Sequence, residues 1–392
     1  MSVLAFLKST EVKAFIRLHE KSDVNSLILN PPAPFQGRIK PIADQILSRQ
    51  KAEGKLPQWL ENPNVIFPVP LSVEQSSSET TASYKAMLME KGEHLVDLTG
   101  GMGVDCLALS SAFRQTTYVE QNQDLCELFS WNSQCLGKEV TVRNQSAESF
   151  LQSLGNVDFS KLTFYLDPAR RDQGRKTVLL EDCTPNALEI IPALLERGAK
   201  VLLKTSPLLD IQSTIGSFEE LSEVHVVAVK NEVKEVLYKF SSSDLPTKVV
   251  AINLPDRYSF HFTYKEEKET LSDHASTSTY LYEANAAILK AGAFKIVGKR
   301  YGLNKIDVHS HFYTSSKIVD PFPGKIFKVL KQLTKEELKK LKGSKKNVIS
   351  RNHPLKAEQF KKKYGIKDGG KDFIIATKEL GKPVVLLTQL ES

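Results

Sequence analysis

Residues 94–103, HLVDLTGGMG, constrain the fold of this chain more than any other ten positions. Leu95, Val96 and Leu98 form a short apolar strand with Asp97 at its carboxyl end. Gly100, Gly101 and Gly103 then make a turn that leads into the helical run 104–112. Glycines at such a turn let the backbone take φ values that other residues avoid and let it pass close to a ligand. A strand, a glycine turn and a helix in that order open a βαβ unit, and open α/β sheets hold ligands in the crevice beyond the carboxyl ends of their strands. The expectation is an α/β fold with a binding crevice at this turn.

The spacing narrows the guest. The turn has neither the GxGxxG order of dinucleotide binders nor the GxxxxGK[ST] order of phosphate loops, and no Lys follows its glycines. The next strand, 116–120 (TTYVE), ends in Glu120, whose two oxygens can accept hydrogen bonds from both hydroxyls of a ribose. Asn122 then reads as a helix N-cap. At these residues the chain resembles class I S-adenosylmethionine-dependent methyltransferases. The resemblance implies S-adenosyl-L-methionine as cofactor, with Asp97, Thr99, Gly100, Gly101, Met102 and Gly103 toward the methionine end and Glu120 and Gln121 at the ribose. Ser146 and Ala147 occupy the usual adenine-contact position, although Ser146 reads equally well as the N-cap of the helix 147–154.

Strands and helices alternate from about 93 to 241. Strands are expected at 95–98, 116–120, 140–142, 163–167, 200–204, 223–229 and 235–240, with helices between the first five and a hairpin closing the set. Five parallel strands followed by a hairpin is the order of a Rossmann-like, seven-stranded methyltransferase sheet. Upstream, residues 1–70 read as a helical region broken by Pro31, Pro32 and Pro34, and the catalytic domain as 71–245. Ser76 three residues before Glu79 suggests a capping box opening a helix through residue 88. Residues 246–320 read as a small α+β module with strands at 248–254, 259–264 and 294–297, a helix at 282–290 and weak alternation over 307–314. Residues 321–392 read as a compact βαβαββ unit.

The fourth strand runs into YLDPARRD, residues 165–172, at the edge where a methyl acceptor must lie. Methyl transfer is an in-line displacement, so the protein chiefly orients a lone pair and excludes water. Asp167, with a main-chain carbonyl, can accept the two hydrogens of a base amine whose lone pair is delocalised into the ring. Methyltransferases of exocyclic amines carry Asp or Asn, two prolines and an aromatic here. Asp167 and Pro168 match, whereas Ala169 replaces the second proline and Arg170 the aromatic. Arg170 and Arg171 offer guanidinium forks for a phosphate or for a carboxylate such as Glu74 or Glu79. Together with DLTGGMGVDCLAL, the strand end resembles bacterial ribosomal-RNA methyltransferases of the guanine amine. A covalent carbon-5 mechanism needs a cysteine at the end of strand four or five. Strand five instead runs into Lys204-Thr205-Ser206-Pro207, and Lys204 joins Glu79, Arg170 and Arg171 as a candidate substrate contact.

Charge supplies a direction. Between Lys325 and Lys371 stand 16 Lys and Arg against 4 Asp and Glu, so the whole net charge of +7 originates there and the remainder is net acidic. Leu338, Leu341, Phe360 and Tyr364 are expected inward, and Lys339, Lys340, Lys342, Lys361, Lys362 and Lys363 outward. Lys345, Lys346 and Arg351 add to the surface. With Lys339, Lys340 and Lys342 they form a candidate RNA-binding set. The stretch 74–79, Lys85, the turn 231–235 and the segment AFKIVGKRYGL are similar to bacterial class I methyltransferases that carry a small ferredoxin-like element and a C-terminal THUMP-like domain. That resemblance implies an RNA-modifying enzyme.

No run approaches the roughly 18 apolar residues of a membrane span, and the first ten residues lack the features of a secretory signal, so a cytoplasmic location is expected. Cys106, Cys126, Cys135 and Cys183 have no CxxC spacing and no His at ligand distance, so they read as buried or half-buried thiols and no metal is expected. The reading is an RNA methyltransferase acting on a base amine of rRNA or tRNA. Its rivals are a small-molecule or protein methyltransferase and a non-catalytic RNA-binding assembly factor that keeps the cofactor fold.

Overall fold

Short, nearly continuous apolar strands separated by amphipathic helices pack as a parallel sheet covered on each side. In the computed structural model, which describes residues 2–170, 179–241, 245–256 and 258–391, this is what the central part of the chain does. The strands are β1 Gly92–Asp97, β2 Phe113–Glu120, β3 Thr141–Asn144, β4 Leu162–Leu166, the short pair β5 Ala169–Arg170 and β6 Cys183–Thr184, then β7 Lys200–Thr205, β8 Leu221–Val229 and β9 Glu232–Phe240. The chain divides into two compact units, Met1–Ser222 with Val236–Ser243, and Glu223–Glu235 with Asp244–Ser392.

In the first unit the strands lie in the order β9-β7-β4-β1-β2-β3. All neighbours are parallel except β9, which runs antiparallel to β7. The two central strands, β1 and β4, end side by side, with Asp97 opposite Tyr165 in the register. Helices Val104–Leu109, Gln123–Cys135, Ala147–Ser153 and Ala187–Glu196 connect the parallel strands. Asn122 caps the second, accepting from the backbone N–H groups of Asp124 and Leu125. The N-terminal helices pack against this layer: Ala52, Leu56, Trp59, Phe67 and Val73 share one buried cluster with Met102, Val104, Tyr118 and Phe129.

One helix expected near residues 74–88 is two. Pro70–Gln75 ends at Ser76, and Glu79–Leu88 starts after Ser78, whose hydroxyl accepts from Thr81 N at 3.2 Å. Three consecutive serines offer three cap positions, and Ser76 spends its hydroxyl on Val73 O at 2.9 Å. Glu79 therefore completes no capping box with it.

The second unit begins with β8 and β9 joined by Lys230-Asn231, both at positive φ, the backbone a two-residue hairpin turn requires. The remaining strands are β10 Lys248–Leu254, β11 Ser259–Phe262, β12 Tyr280–Ala284, β13 Asn304–Lys305, β14 Phe312–Ser315, β15 Gly324–Gln332, β16 Asn347–Ser350, β17 Asp372–Glu379 and β18 Lys382–Leu390. β10 lies parallel to β8 and antiparallel to β11. The others form a seven-stranded sheet, β13-β14-β12-β15-β18-β17-β16. Helices Lys335–Lys340 and Ala357–Tyr364 bury Leu338 and Phe360 against it, with Leu341 and Tyr364 partly buried alongside.

Two expectations reverse here. Residues 282–284 belong to strand β12, not to a helix; β12 is central, covered on both faces, and so lacks the alternation that marks a strand. Its helix starts only at Ala286, after Asn285 accepts from Ile288 N at 3.0 Å. Residues 296–301 are a helix where a strand was read. The Glu267 carboxylate takes the N–H groups of Lys295 and Ile296, each at 3.0 Å, a tertiary cap that local sequence does not announce.

Candidate active site

The turn after β1 is fixed by its packing. Gly100 N donates to Val119 O at 3.0 Å, and a Cβ there would stand 2.3 Å from the Tyr118 ring. Gly103, at φ +85°, would drive a Cβ to 2.1 Å from the Phe129 ring, which stacks on Tyr118 at 3.8 Å. Gly101 differs: at φ +53° its Cβ would meet only Thr99 O at 3.8 Å, so its outer side is open. The Tyr118 hydroxyl donates to Gly101 O at 2.6 Å. Glu120 ties the two strand ends together, Oε2 accepting from Gly101 N at 3.0 Å and Oε1 from Asn122 N at 2.8 Å. Each oxygen keeps a further lone pair for a ligand hydroxyl.

Asp97 is 1% exposed. Its Oδ1 accepts from Thr99 N at 2.9 Å and from the Thr99 hydroxyl at 3.4 Å, and that hydroxyl accepts in turn from Asp167 N at 2.7 Å. A single threonine therefore couples the ends of β1 and β4. Burial pushes the Asp97 carboxyl up to about 8, against the pull of the Thr99 N–H, with the charges of Asp105 and Asp167 adding to the rise. Asp167 is ion-paired with Lys204 at the end of β7.

Beneath these groups lies a buried network. Lys85, fully buried, places Nζ 3.2 Å from Asp105 Oδ1 and 3.2 Å from the Ser77 hydroxyl. Asp105 Oδ2 accepts from Ser77 and from the Tyr165 hydroxyl, both at 2.7 Å. Burial raises the Asp105 pKa, but the Lys85 and Lys204 charges and the two hydroxyls outweigh it, so the group stays below the usual carboxylate range. Of this network the sequence points to Lys85, to Ser77 within the stretch 74–79, and to Tyr165 at the head of YLDPARRD, but not to Asp105 itself. The available signal for Asp105 was one acid inside the apolar helix VDCLAL; nothing local ties it to a lysine twenty residues earlier.

The structure thus brings Asp97, Thr99, Gly101, Glu120, Asp167 and Lys204 to one edge of the sheet. Pro168 follows Asp167, leading into β5, where Ala169 and Arg170 pair with Thr184 and Cys183. Arg171 lies outside the described residues. Met102 is buried in the helix-facing core, and Gln121 is exposed beside Glu120. Ser146 caps its helix, accepting from Ser149 N at 3.2 Å, and Ala147 is buried. Glu79 faces elsewhere, accepting from Trp59 N at 3.2 Å at the start of helix Pro57–Glu61, while Glu74 pairs with Lys51. The cysteines are free, three buried and Cys135 half-buried. Among the described residues no cluster of His, Cys, Asp or Glu is arranged to hold a metal, and no helix is long and apolar enough to cross a membrane.

In the second unit Lys339, Lys340, Lys342 and Lys345 are exposed. Lys346 pairs with Asp372, and Arg351 Nε donates to Glu283 Oε1 at 3.1 Å. Lys361, expected outward, is held by Glu358 and Asp368.

Over its whole length the chain is similar to the crystal structure of a "putative methyltransferase from Porphyromonas gingivalis W83", with 31% identity, 98% of that chain covered and a TM-score of 0.86. This chain belongs to that protein's family. Residues 280–323 match a ferredoxin-like domain model and residues 324–390 a THUMP domain-like model. The first unit accordingly has the Rossmann-like fold of class I methyltransferases, and β12 to β14 and β15 to β18 build the ferredoxin-like and THUMP-like parts of one sheet. An rRNA methylase from Streptococcus thermophilus overlaps 42% of this chain and 95% of its own at 13% identity, with a TM-score of 0.30. A ribosomal protein L11 methylase from Lactobacillus delbrueckii subsp. bulgaricus overlaps 45% and 81% at 11% identity, also at 0.30. No curated protein matches the sequence.

Proposed function

We propose that this chain is an S-adenosylmethionine-dependent methyltransferase that methylates an exocyclic base amine of RNA. The observation that carries the reading is the convergence of Asp97, Glu120 and Asp167 on one strand edge around a glycine whose outer side is open. The residues suit the cofactor. A buried carboxyl at Asp97 gains most from a cationic guest, and Glu120 retains lone pairs for ribose hydroxyls. Ser146 and Ala147 complete the expected cofactor contacts.

When bound, the cofactor supplies an electrophilic methyl group. Asp167 accepts the hydrogens of the acceptor amine, fixing its lone pair toward that methyl. Lys204 holds the Asp167 carboxylate from the β7 side, so an incoming amine must share that carboxylate with an ammonium already in place. The tie from Asp167 N to the Thr99 hydroxyl keeps acceptor and cofactor edges in fixed register. Pro168 stiffens the exit from β4. The exposed Lys339, Lys340, Lys342 and Lys345 support RNA as the carrier of the amine, as does the match to a THUMP domain-like model. The experiment is to compare modified nucleotides of rRNA and tRNA, by mass spectrometry, between a strain carrying the gene and its deletion. A methylated base amine that disappears on deletion, and returns when the purified protein acts on deletion-strain RNA, is expected; an unchanged set of modifications would overturn the reading.

A further inference from the structure

A cavity of about 330 Å³ lies in the second unit, at the carboxyl ends of the parallel strands β8 and β10. Asn231, Asn253, Tyr258, Glu283, Asn285 and Phe322 are among its walls. None of them belongs to the methyl-transfer edge.

The cavity is unusual for the polar groups it leaves unspent. Glu283 is 7% exposed; its Oε1 holds Arg351, and among the described residues its Oε2 makes no hydrogen bond. Asn285 is 9% exposed and spends its side-chain oxygen on Ile288 N, leaving its NH2 without a partner among the described residues. Asn231 likewise gives its oxygen to Ala286 N at 2.7 Å and keeps its NH2. One wall thus offers a carboxylate oxygen and another offers amide donors. These groups line the cavity with hydrogen-bonding capacity to spare, so a guest of matching polarity can pair with them. Phe322 and the exposed ring of Tyr258 add flat apolar surface, and the volume suits a nucleoside.

We infer that this cavity is a binding site for a guanine base. Guanine presents adjacent N1–H and 2-amino donors to a carboxylate and its O6 and N7 acceptors on another edge to amide donors, while its faces stack on aromatic rings. Adenine sets an acceptor, N1, against Glu283 and loses that pairing. Hypoxanthine keeps N1–H but lacks the 2-amino group. The guanine has two sources, an unpaired residue of an RNA strand or a free nucleotide; only the first rests on the RNA reading above.

The test titrates the full-length protein calorimetrically with the 5′-monophosphates of guanosine, inosine and adenosine. Expected is saturable binding of the guanosine nucleotide, at least tenfold weaker binding of the inosine nucleotide, and weaker still of the adenosine one. In Glu283→Gln the guanosine-to-inosine preference should collapse to near unity, a change that loss of the Arg351 contact alone would not cause. Glu120→Ala should leave guanosine nucleotide binding unchanged, which separates this site from the cofactor turn whatever becomes of the methyltransferase reading. Short ribonucleotides carrying one guanosine or one inosine then identify the source: preference within the strand assigns the site to RNA, and preference only among mononucleotides assigns it to a free nucleotide. Absence of saturable binding, equal binding of all three nucleotides, or loss of binding in Glu120→Ala would overturn the inference. The wild-type comparison of guanosine with inosine stands even if Glu283→Gln fails to fold.

Discussion

The raised pKa of Asp97 makes cofactor affinity a function of pH, with a slope that can be worked out. The group is buried beside two other carboxylates, Asp105 and Asp167, and titrates at about 8 in the ligand-free protein. A cationic methionine end binds the carboxylate form, so the observed affinity scales with the fraction ionised. That fraction rises from about 1% at pH 6 to about 24% at pH 7.5 for a group titrating near 8, roughly a 25-fold gain. Over this range the ligand's own α-amino group stays mainly protonated, since such groups titrate near ~7.7–8.0. The sign on stability is opposite. The ligand-free fold holds a proton that the unfolded chain has already released, so Asp97 makes stability fall as pH rises from about 4 toward 8. The assay is calorimetric titration of S-adenosylmethionine at pH 6.0, 6.5, 7.0 and 7.5, with Asp97→Asn as control. Affinity should climb about 25-fold in the wild type and stay flat in the variant. A wild-type change below about threefold, or the same slope in Asp97→Asn, would refute the assignment of the titration to this carboxyl.

Other perturbations address the rest of the site. Lys85→Met strands the buried Asp105 and should cost roughly 3–5 kcal/mol in urea unfolding at pH 7; a loss below about 1 kcal/mol would show that Lys85 is not what keeps Asp105 charged. Because the Asp105 pKa is lowered, the wild-type contribution should persist above about pH 4 and fade only as pH falls through the folded-state pKa. Glu120→Ala should weaken cofactor binding at least about tenfold, since it removes charge-assisted hydrogen bonds worth ~1.5–3 kcal/mol each. Asp167→Ala should abolish methyl transfer while cofactor affinity stays within a few fold; an active variant would end the amine-orientation mechanism. Changing Lys339, Lys340, Lys342 and Lys345 to Ala should lower RNA affinity and flatten its salt dependence by up to about three units of log–log slope; unchanged affinity would remove that surface from the RNA path.

Features written in consecutive residues are legible in the sequence. The β1 turn, the Asn122 cap, the parallel order and the terminal βαβαββ unit each follow from periodicity and turn chemistry within a window of about twenty residues. What escaped depends on partners distant in sequence. The helix Ile296–Tyr301 starts where it does because Glu267 caps it, and β12 hides its period because it lies between β14 and β15 inside the sheet with Leu281 to Ala284 all buried. Neither fact is encoded near the element it governs.

The active-site edge follows the same rule, and the consequence is chemical. Asp97, Glu120 and Asp167 could each be picked out because an acid at the end of an apolar strand is conspicuous. Asp97 and Asp167 are held in place by Thr99 and Lys204, and a second network of Asp105 with the buried Lys85 lies beneath them, joining strands β1, β4 and β7 to the helix before the sheet. The charges are not interchangeable. Lys85 pairs with Asp105 and Lys204 with Asp167, whereas Asp97 lies under the field of both acids with only Thr99 for a hydrogen-bond partner among the described residues, and its pKa is raised. An incoming cation at the open side of Gly101 would supply the charge that Asp97 lacks. The edge is therefore short of positive charge until a ligand brings it, and among the guests a glycine turn can admit, that favours a cationic cofactor over an anionic one.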